Sequence, residues 1–226
     1  MNAKKIAAIV LAAVLVFGCG VGATLAWLMD TTPVVTNTFT VGNINIDLYE
    51  HTRDNDGNLT QTETTSLEDY HILPGTTEKK DPTVEILANS EDCYVFLQVK
   101  EVNNTVTGSN PVKKYITYTI DGTVWSPLMD GENQVSVNGN LVWYATTNYA
   151  TQDTAKTYNV LTGQQVSYSN DLSKADIDNL YTYNTDGTVN AITKPQLIFK
   201  AFAVQQEAAT TAAEAWAKID PAQMLD

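Results

Sequence analysis

Cys93-Tyr94-Val95-Phe96-Leu97-Gln98-Val99-Lys100 decides the reading of this chain. Successive side chains of a strand point to opposite faces, so Cys93, Val95, Leu97 and Val99 share one side and Tyr94, Phe96, Gln98 and Lys100 the other. The first set is wholly apolar and the second half so, which predicts a strand buried on one face and partly on the other. Working outward, Tyr115–Ile120, Gln134–Val137, Leu141–Ala145 and Thr157–Leu161 show the same period of two and the same β-branched and aromatic bias. Gln196–Val204 is longer and more apolar and predicts a central strand. The pairs Asp56-Gly57, Asp121-Gly122, Asp130-Gly131, Asn138-Gly139 and Asp186-Gly187 punctuate these runs. They tolerate the positive φ of tight hairpins. Many short strands between such turns predict an all-β fold, a jelly-roll-like antiparallel β-sandwich with short peripheral helices.

Two helices are expected. One starts at Ser173 and runs to about Leu180. The other lies within 208–219, where Thr211-Ala212-Ala213-Glu214 has the form of a capping box and Asp220-Pro221 ends it. Trp216 is expected to pin that helix to the sandwich. Phe39 and Val41 are out of phase with Ile44, Ile46 and Leu48 across Gly42, which suits either a β-bulge at Gly42 or two strands with a turn there. The segment 50–69 is polar, acidic and Thr-rich and is expected to be an insertion loop.

The 226 residues carry 13 Lys+Arg against 26 Asp+Glu, a formal charge of -13. A field of that sign repels phosphate backbones and excludes nucleic acid as a partner. The amino end explains part of the imbalance. Lys4 and Lys5 precede about 24 uncharged residues from Ile6 to Met29. Ile6–Phe17 is an apolar helix-forming core, Gly18, Gly20 and Gly22 break it, and Thr24 and Ala26 are the small residues of a cleavage site. Residues 1–26 therefore read as a signal peptide helix, cut between Ala26 and Trp27, ahead of a single β-sandwich domain over 27–226. An uncleaved anchor spanning the ~30 Å hydrocarbon core is the alternative. A lipid site at Cys19 is disfavoured by the bulk of Phe17. Without the leader the chain has 11 Lys+Arg against 26 acids, or -15.

Chemistry is sparse. Catalytic, metal and phosphate-loop motifs are missing from the sequence, so no enzyme activity and no cofactor are expected. His51 and His71 share no motif and are expected at the surface. Cys93, in mid-strand, is expected to be buried and unreactive. Asp54, Asp56 and Asn58 around Gly57 resemble a calcium loop, although an Asp-Gly hairpin explains them equally. Leu73-Pro74-Gly75-Thr76 resembles a sortase signal but has Thr77 where Gly is needed, and reads as a turn leading into a strand. Trp125, Trp143, Tyr144 and Tyr149 suggest a stacking platform for a carbohydrate or a host protein, with packing the simpler account of Trp125 and Trp143.

Thr24-Leu25-Ala26-Trp27-Leu28-Met29-Asp30 resembles the cleavage region of proteins processed by the dedicated signal peptidase SipW. Asn37-Thr38-Phe39-Thr40-Val41-Gly42 is similar to the opening strand of the TasA and camelysin family. Leu73-Pro74-Gly75 with Val84-Glu85-Ile86 and Asn89-Ser90, and Ala201-Phe202-Ala203-Val204-Gln205 with Ala215-Trp216, extend the likeness. Leu28-Met29 departs from the aromatic residue or Thr more usual there. The resemblance implies a jelly-roll protein that meets a signal peptidase during export and is secreted to the cell surface or extracellular matrix. It further implies a subunit of biofilm-matrix fibres whose chief partner is itself. Residues 27–38 would then be an N-terminal extension. Its apolar Trp27, Leu28, Met29, Val34 and Val35 would act as a donor strand in head-to-tail assembly. A monomeric adhesin-like module is the competing expectation. A camelysin-type metalloprotease is a third, weakened by two unrelated histidines.

Overall fold

A computed structural model describes residues 44–64, 72–146, 155–185 and 189–226. The strands in chain order are β1 Ile46–Arg53, β2 Leu59–Thr64, β3 Thr77–Lys79, β4 Thr83–Ile86, β5 Cys93–Val102, β6 Ile116–Thr117, β7 Trp125–Pro127, β8 Met129–Asp130 and β9 Asn133–Gln134. They continue as β10 Ser136–Val137, β11 Asn140–Ala145, β12 Lys156–Asn159, β13 Gln165–Tyr168, β14 Tyr181–Tyr183, β15 Val189–Ile192 and β16 Gln196–Gln205. The two short α-helices are α1 Lys174–Asp178 and α2 Ala212–Trp216. The protein is all-β, and every pairing between these strands is antiparallel.

Two sheets form the frame. The first has the order β12-β4-β1-β2; the second runs β10-β11-β5-β16, with β7 also on β11. Alternation on β5 separates two apolar clusters. Cys93, Val95, Leu97 and Val99 enter the larger one, where they meet Val84 and Ile86 of β4 and Tyr158 of β12 from the first sheet. Phe96, on the opposite face of β5, enters a smaller cluster with Val142, Phe202, Trp216 and Ile219. The larger cluster thus fills the space between the sheets, and the smaller is capped by α2. Sheet β3-β13-β6 contributes Val166, Tyr168 and Ile116 to the larger cluster. No helix among the described residues is long and apolar enough to cross a membrane.

Of the expected turns, those at Gly57, Gly131 and Gly139 have the positive φ and join paired strands, whereas Asp121-Gly122 joins no hairpin, since Ile120 pairs Leu161 and Trp125 pairs Ala145. At Asn138-Gly139 both residues have positive φ (54° and 81°), as a two-residue connection with right-handed twist requires, and β10 and β11 follow directly on either side. Gly75 (φ 78°) completes the Pro74-Gly75 turn, closed by Thr76 N–H donating to the Leu73 carbonyl at 3.1 Å, and β3 begins at Thr77. Ile44, Ile46 and Leu48 pack on the larger cluster as the alternation predicts. The register of Phe39 and Val41 and the question of a bulge at Gly42 lie outside the described residues, as do His71, Tyr149 and the turn at Asp186-Gly187.

Several expectations are corrected. Segment 50–69 is not an insertion loop: up to Thr64 it is the β1–β2 hairpin, with Glu50 opposite Thr64 and His51 opposite Glu63. Its polarity misled because its charges find partners, Glu50 on Lys80 and Arg53 on Glu78, while Thr52 and Thr60 share a 2.6 Å hydroxyl contact. Residues 65–69 are outside the description. The strand at Tyr115–Ile120 shrinks to Ile116–Thr117, which pair β13, and the Asn104 side chain takes both backbone groups of Ile116, at 2.7 and 2.9 Å. β16 is not central. It pairs β5 over its whole length, from Gln196 with Val102 to Gln205 with Cys93, and among the described strands nothing pairs its other side.

The helix expected within 208–219 is only Ala212–Trp216, preceded by a 3-10 turn at Gln206–Ala208. Thr211 Oγ1 accepts from Glu214 N–H at 3.2 Å, while the Glu214 carboxylate accepts from Thr210 N–H at 2.9 Å, one residue before the cap. Asp220 begins a further 3-10 turn at Pro221–Gln223. By contrast Ser173 and Asp176 satisfy each other's amides reciprocally at the start of α1.

Candidate functional site

The residues assigned to cleavage and donation, Ala26, Trp27, Leu28, Met29, Val34 and Val35, lie outside the described residues. The feature that bears on assembly is the edge that would receive such a segment. β16 has the composition of a buried strand, Leu197-Ile198-Phe199-Lys200-Ala201-Phe202-Ala203-Val204. Yet only Leu197 and Phe202 are buried, and the rest are half-buried. Phe199, Ala201 and Ala203 pack on the larger cluster, and Val204 packs on the smaller. Both faces are therefore covered while one edge is open among the described strands.

Across from that edge lies the beginning of β1. Residues Ile46–Tyr49 pair β4 on one side, whereas β2 reaches only Glu50 and beyond on the other. Between them runs a groove of about 550 Å³ whose apolar lining includes Ile44, Ile46, Ala201, Phe202, Val204 and Ile219 and whose polar lining is Lys200, Lys218, Asp220 and Gln223. It offers apolar side chains beside backbone that no described strand pairs, which is what an added strand needs: main-chain hydrogen bonds for affinity and alternate side chains in pockets for specificity.

A polar cluster fixes the far half of β1. Asp81, almost wholly buried, accepts from the His51 backbone N–H at 3.0 Å and contacts His51 Nδ1 at 2.6 Å. His51 stacks edge-on against Tyr49. Lys80, also buried, donates to both Glu50 oxygens at 2.7 and 2.9 Å and lies 5.7 Å from the Phe199 ring centre. Glu78 accepts from Arg53 Nη1 at 2.8 Å and from the Tyr168 hydroxyl. His51 is thus not a free surface residue, and its partner was not legible, since nothing in Lys80-Asp81-Pro82 marks Asp81 as buried. This set ties β1 to β3 and to the turn between β3 and β4, and among the described residues no ion pair falls on Ile46–Tyr49.

Other named residues are placed as follows. Cys93 is a free, buried thiol, and burial above all, with the Asp92 charge behind it, pushes its pKa up to about 11. Asp54 accepts from Asp56 N–H and Asn58 N–H at 2.9 and 2.8 Å, which makes the Asp56-Gly57 region a side-chain-closed hairpin turn. The bond from the Asn58 backbone is the largest cause holding the Asp54 carboxyl below its usual range. Among the described residues no three His, Cys, Asp or Glu side chains come together in a metal-binding group. The aromatic platform is not assembled. Trp125 is buried, with Nε1 donating to the Asn159 carbonyl at 2.9 Å. Trp143 and Tyr144 point to opposite faces of β11, into different clusters. Compared with protein-family models, with curated proteins and with solved structures, the chain finds no match.

Proposed function

We propose that this chain is an exported structural subunit of an extracellular matrix or cell surface, assembling head-to-tail by strand addition. The observation that carries the reading is β16, a strand of buried composition with both faces covered and one edge open among the described strands. An open apolar edge is a liability that proteins blunt with charge, bulges or short strands. Lys200 is the only charge on β16, and its ammonium lies 5.6 Å from the Phe202 ring centre. The occupant we propose is the Trp27–Val35 segment of a second copy, freed by cleavage after Ala26. Three large apolar side chains at a chain end favour burial by ~1.5–3 kcal/mol each. A contact between that segment and the edge of another copy joins two different surfaces, is head-to-tail and does not close, so a filament results. The leader and the resemblance to the TasA and camelysin family support the same reading.

The test is to delete Trp27–Val35 from the secreted form and compare both proteins by electron microscopy and sedimentation. Fibres from the longer form and monomers from the shorter are expected. Identical fibres from both, or a longer form that stays monomeric at high concentration from neutral to acid pH, defeat the proposal.

A further inference from the structure

Although the expected aromatic platform is divided, one of its members borders an unassigned cleft. On β11, Leu141 and Trp143 share a face. Trp143 is half-buried against the larger cluster, and Leu141, at the end of the row, is 41% exposed. With Tyr118 and Thr119 from the segment after β6, and with Glu101 and Lys114, they line a cleft of about 460 Å³. That is within the ~300–1,000 Å³ of small-molecule sites.

The polar wall is pre-formed. Glu101 accepts from Lys114 Nζ at 2.7 Å, from the Tyr118 hydroxyl at 3.0 Å and from Asn104 Nδ2 at 2.9 Å. Asn104 is itself locked on the Ile116 backbone. Burial raises the Glu101 pKa, but these three donors and the Lys114 charge outweigh it and hold the carboxyl below its usual range. A carboxylate has about four acceptor positions and an ammonium three donors. Three of the former and one of the latter are taken here. The Lys114 side chain, 46% exposed, can therefore donate outward, and Glu101 retains one acceptor position. Thr119 adds an exposed hydroxyl.

The charges in the cleft cancel, Lys114 against Glu101. A cation gains nothing from such a neutral pair, and an anion must also approach a chain of net charge -13. An indole beside an aliphatic side chain, rimmed by hydroxyl, ammonium and carboxylate, suits a neutral ligand with one C–H face and a ring of hydroxyls. We propose that this cleft binds a neutral oligosaccharide, with one pyranose ring lying on Trp143 and Leu141 and its hydroxyls bonded to Lys114, Glu101 and Thr119. The proposal stands apart from fibre formation, since the cleft shares no lining residue with the groove at the β16 edge and is complete within one chain.

The experiment uses the whole secreted protein and neutral soluble hexasaccharides, cello- and malto-series and mannan-derived, followed by calorimetry and tryptophan emission. Trp125 and Trp216 are buried, so among the described tryptophans Trp143 is the one open to a ligand. Saturable binding of at least one sugar with Kd in the ~0.1–1 mM range is expected, with Trp143 shielded from acrylamide. Lys114→Met is expected to weaken it about tenfold and Thr119→Arg, which fills the cleft without touching the core, to abolish it. Circular dichroism checks that both variants remain folded. No saturable binding at about 10 mM sugar, or binding indifferent to both variants, overturns the proposal. So does tighter binding of charged sugars or of an apolar peptide at the same site.

Discussion

Cys93 shows how one residue's setting rules its chemistry. The thiolate is the reactive form, and a pKa raised from 9.0 to about 11 lowers its population at neutral pH by about a hundredfold. Zero exposure adds a steric barrier. Native labelling with a thiol reagent is therefore expected to be slow and to accelerate on denaturation; rapid labelling, or a disulfide-linked dimer in secreted material, would contradict this placement. Glu101 makes the opposite statement about pH. Its folded pKa lies below the unfolded one, so its contribution to stability is present above the ordinary value of ~4.3 and is lost as pH falls through the depressed folded value. Denaturation midpoints measured from neutral pH downward should fall more steeply for the unaltered protein than for Glu101→Gln. Equal slopes would mean the three donors do not favour the charged form.

At the scale of the element, α2 is five residues long and far too short to be stable alone. What holds it is Trp216, buried with its ring 5.3 Å from that of Phe96 and 5.5 Å from that of Phe202. Trp216→Ala should cost about 3–5 kcal/mol, whereas Thr211→Ala, which removes only the cap, should cost about 1 kcal/mol. Urea denaturation of the two variants checks the order; a cap loss as large as the packing loss would invert it. β16 presents a different problem, because its free edge is proposed to be functional. Val204 is half-buried there. Val204→Lys places a charge at the edge and is expected to block fibre growth while changing monomer stability by about 1 kcal/mol. Unchanged fibres from a folded Val204→Lys protein would move the interface elsewhere.

The whole molecule carries an excess of acid that any self-association must overcome. On the first sheet Asp47 sits directly opposite Glu85, a like-charge pairing that weakens a sheet. The phenol of Tyr49, two residues along β1, is pushed up by burial first and then by Glu85, Glu63, Asp81 and Asp47. With the leader removed as proposed, 11 basic groups face 26 acids. Fibre growth of that form should accelerate as pH falls and carboxylates protonate, and as salt shortens the range of repulsion from the ~8 Å of physiological strength. Light scattering across pH and salt is the measurement, and slower growth in acid would argue that the contact depends on ionised carboxylates.

By itself the sequence determined what is local. Alternation along Cys93–Lys100 named the two faces of β5, the Asn138-Gly139 dipeptide named a hairpin, and Ser173 named a helix start, because each rests on spacing or backbone preference within a few residues. Pairing across the chain was beyond it. Only the tertiary structure put Asp81 under His51, drew Lys80 onto Glu50, and set the Asn104 side chain on both backbone groups of Ile116. Polarity in 50–64 looked like a loop because the residues that neutralise it are some 25 to 30 positions away. The same limit governs β16. Its apolar composition suggested a central strand, but whether a strand lies inside a sheet or at its rim is decided by which other strands fold beside it, and no run of ten residues carries that information.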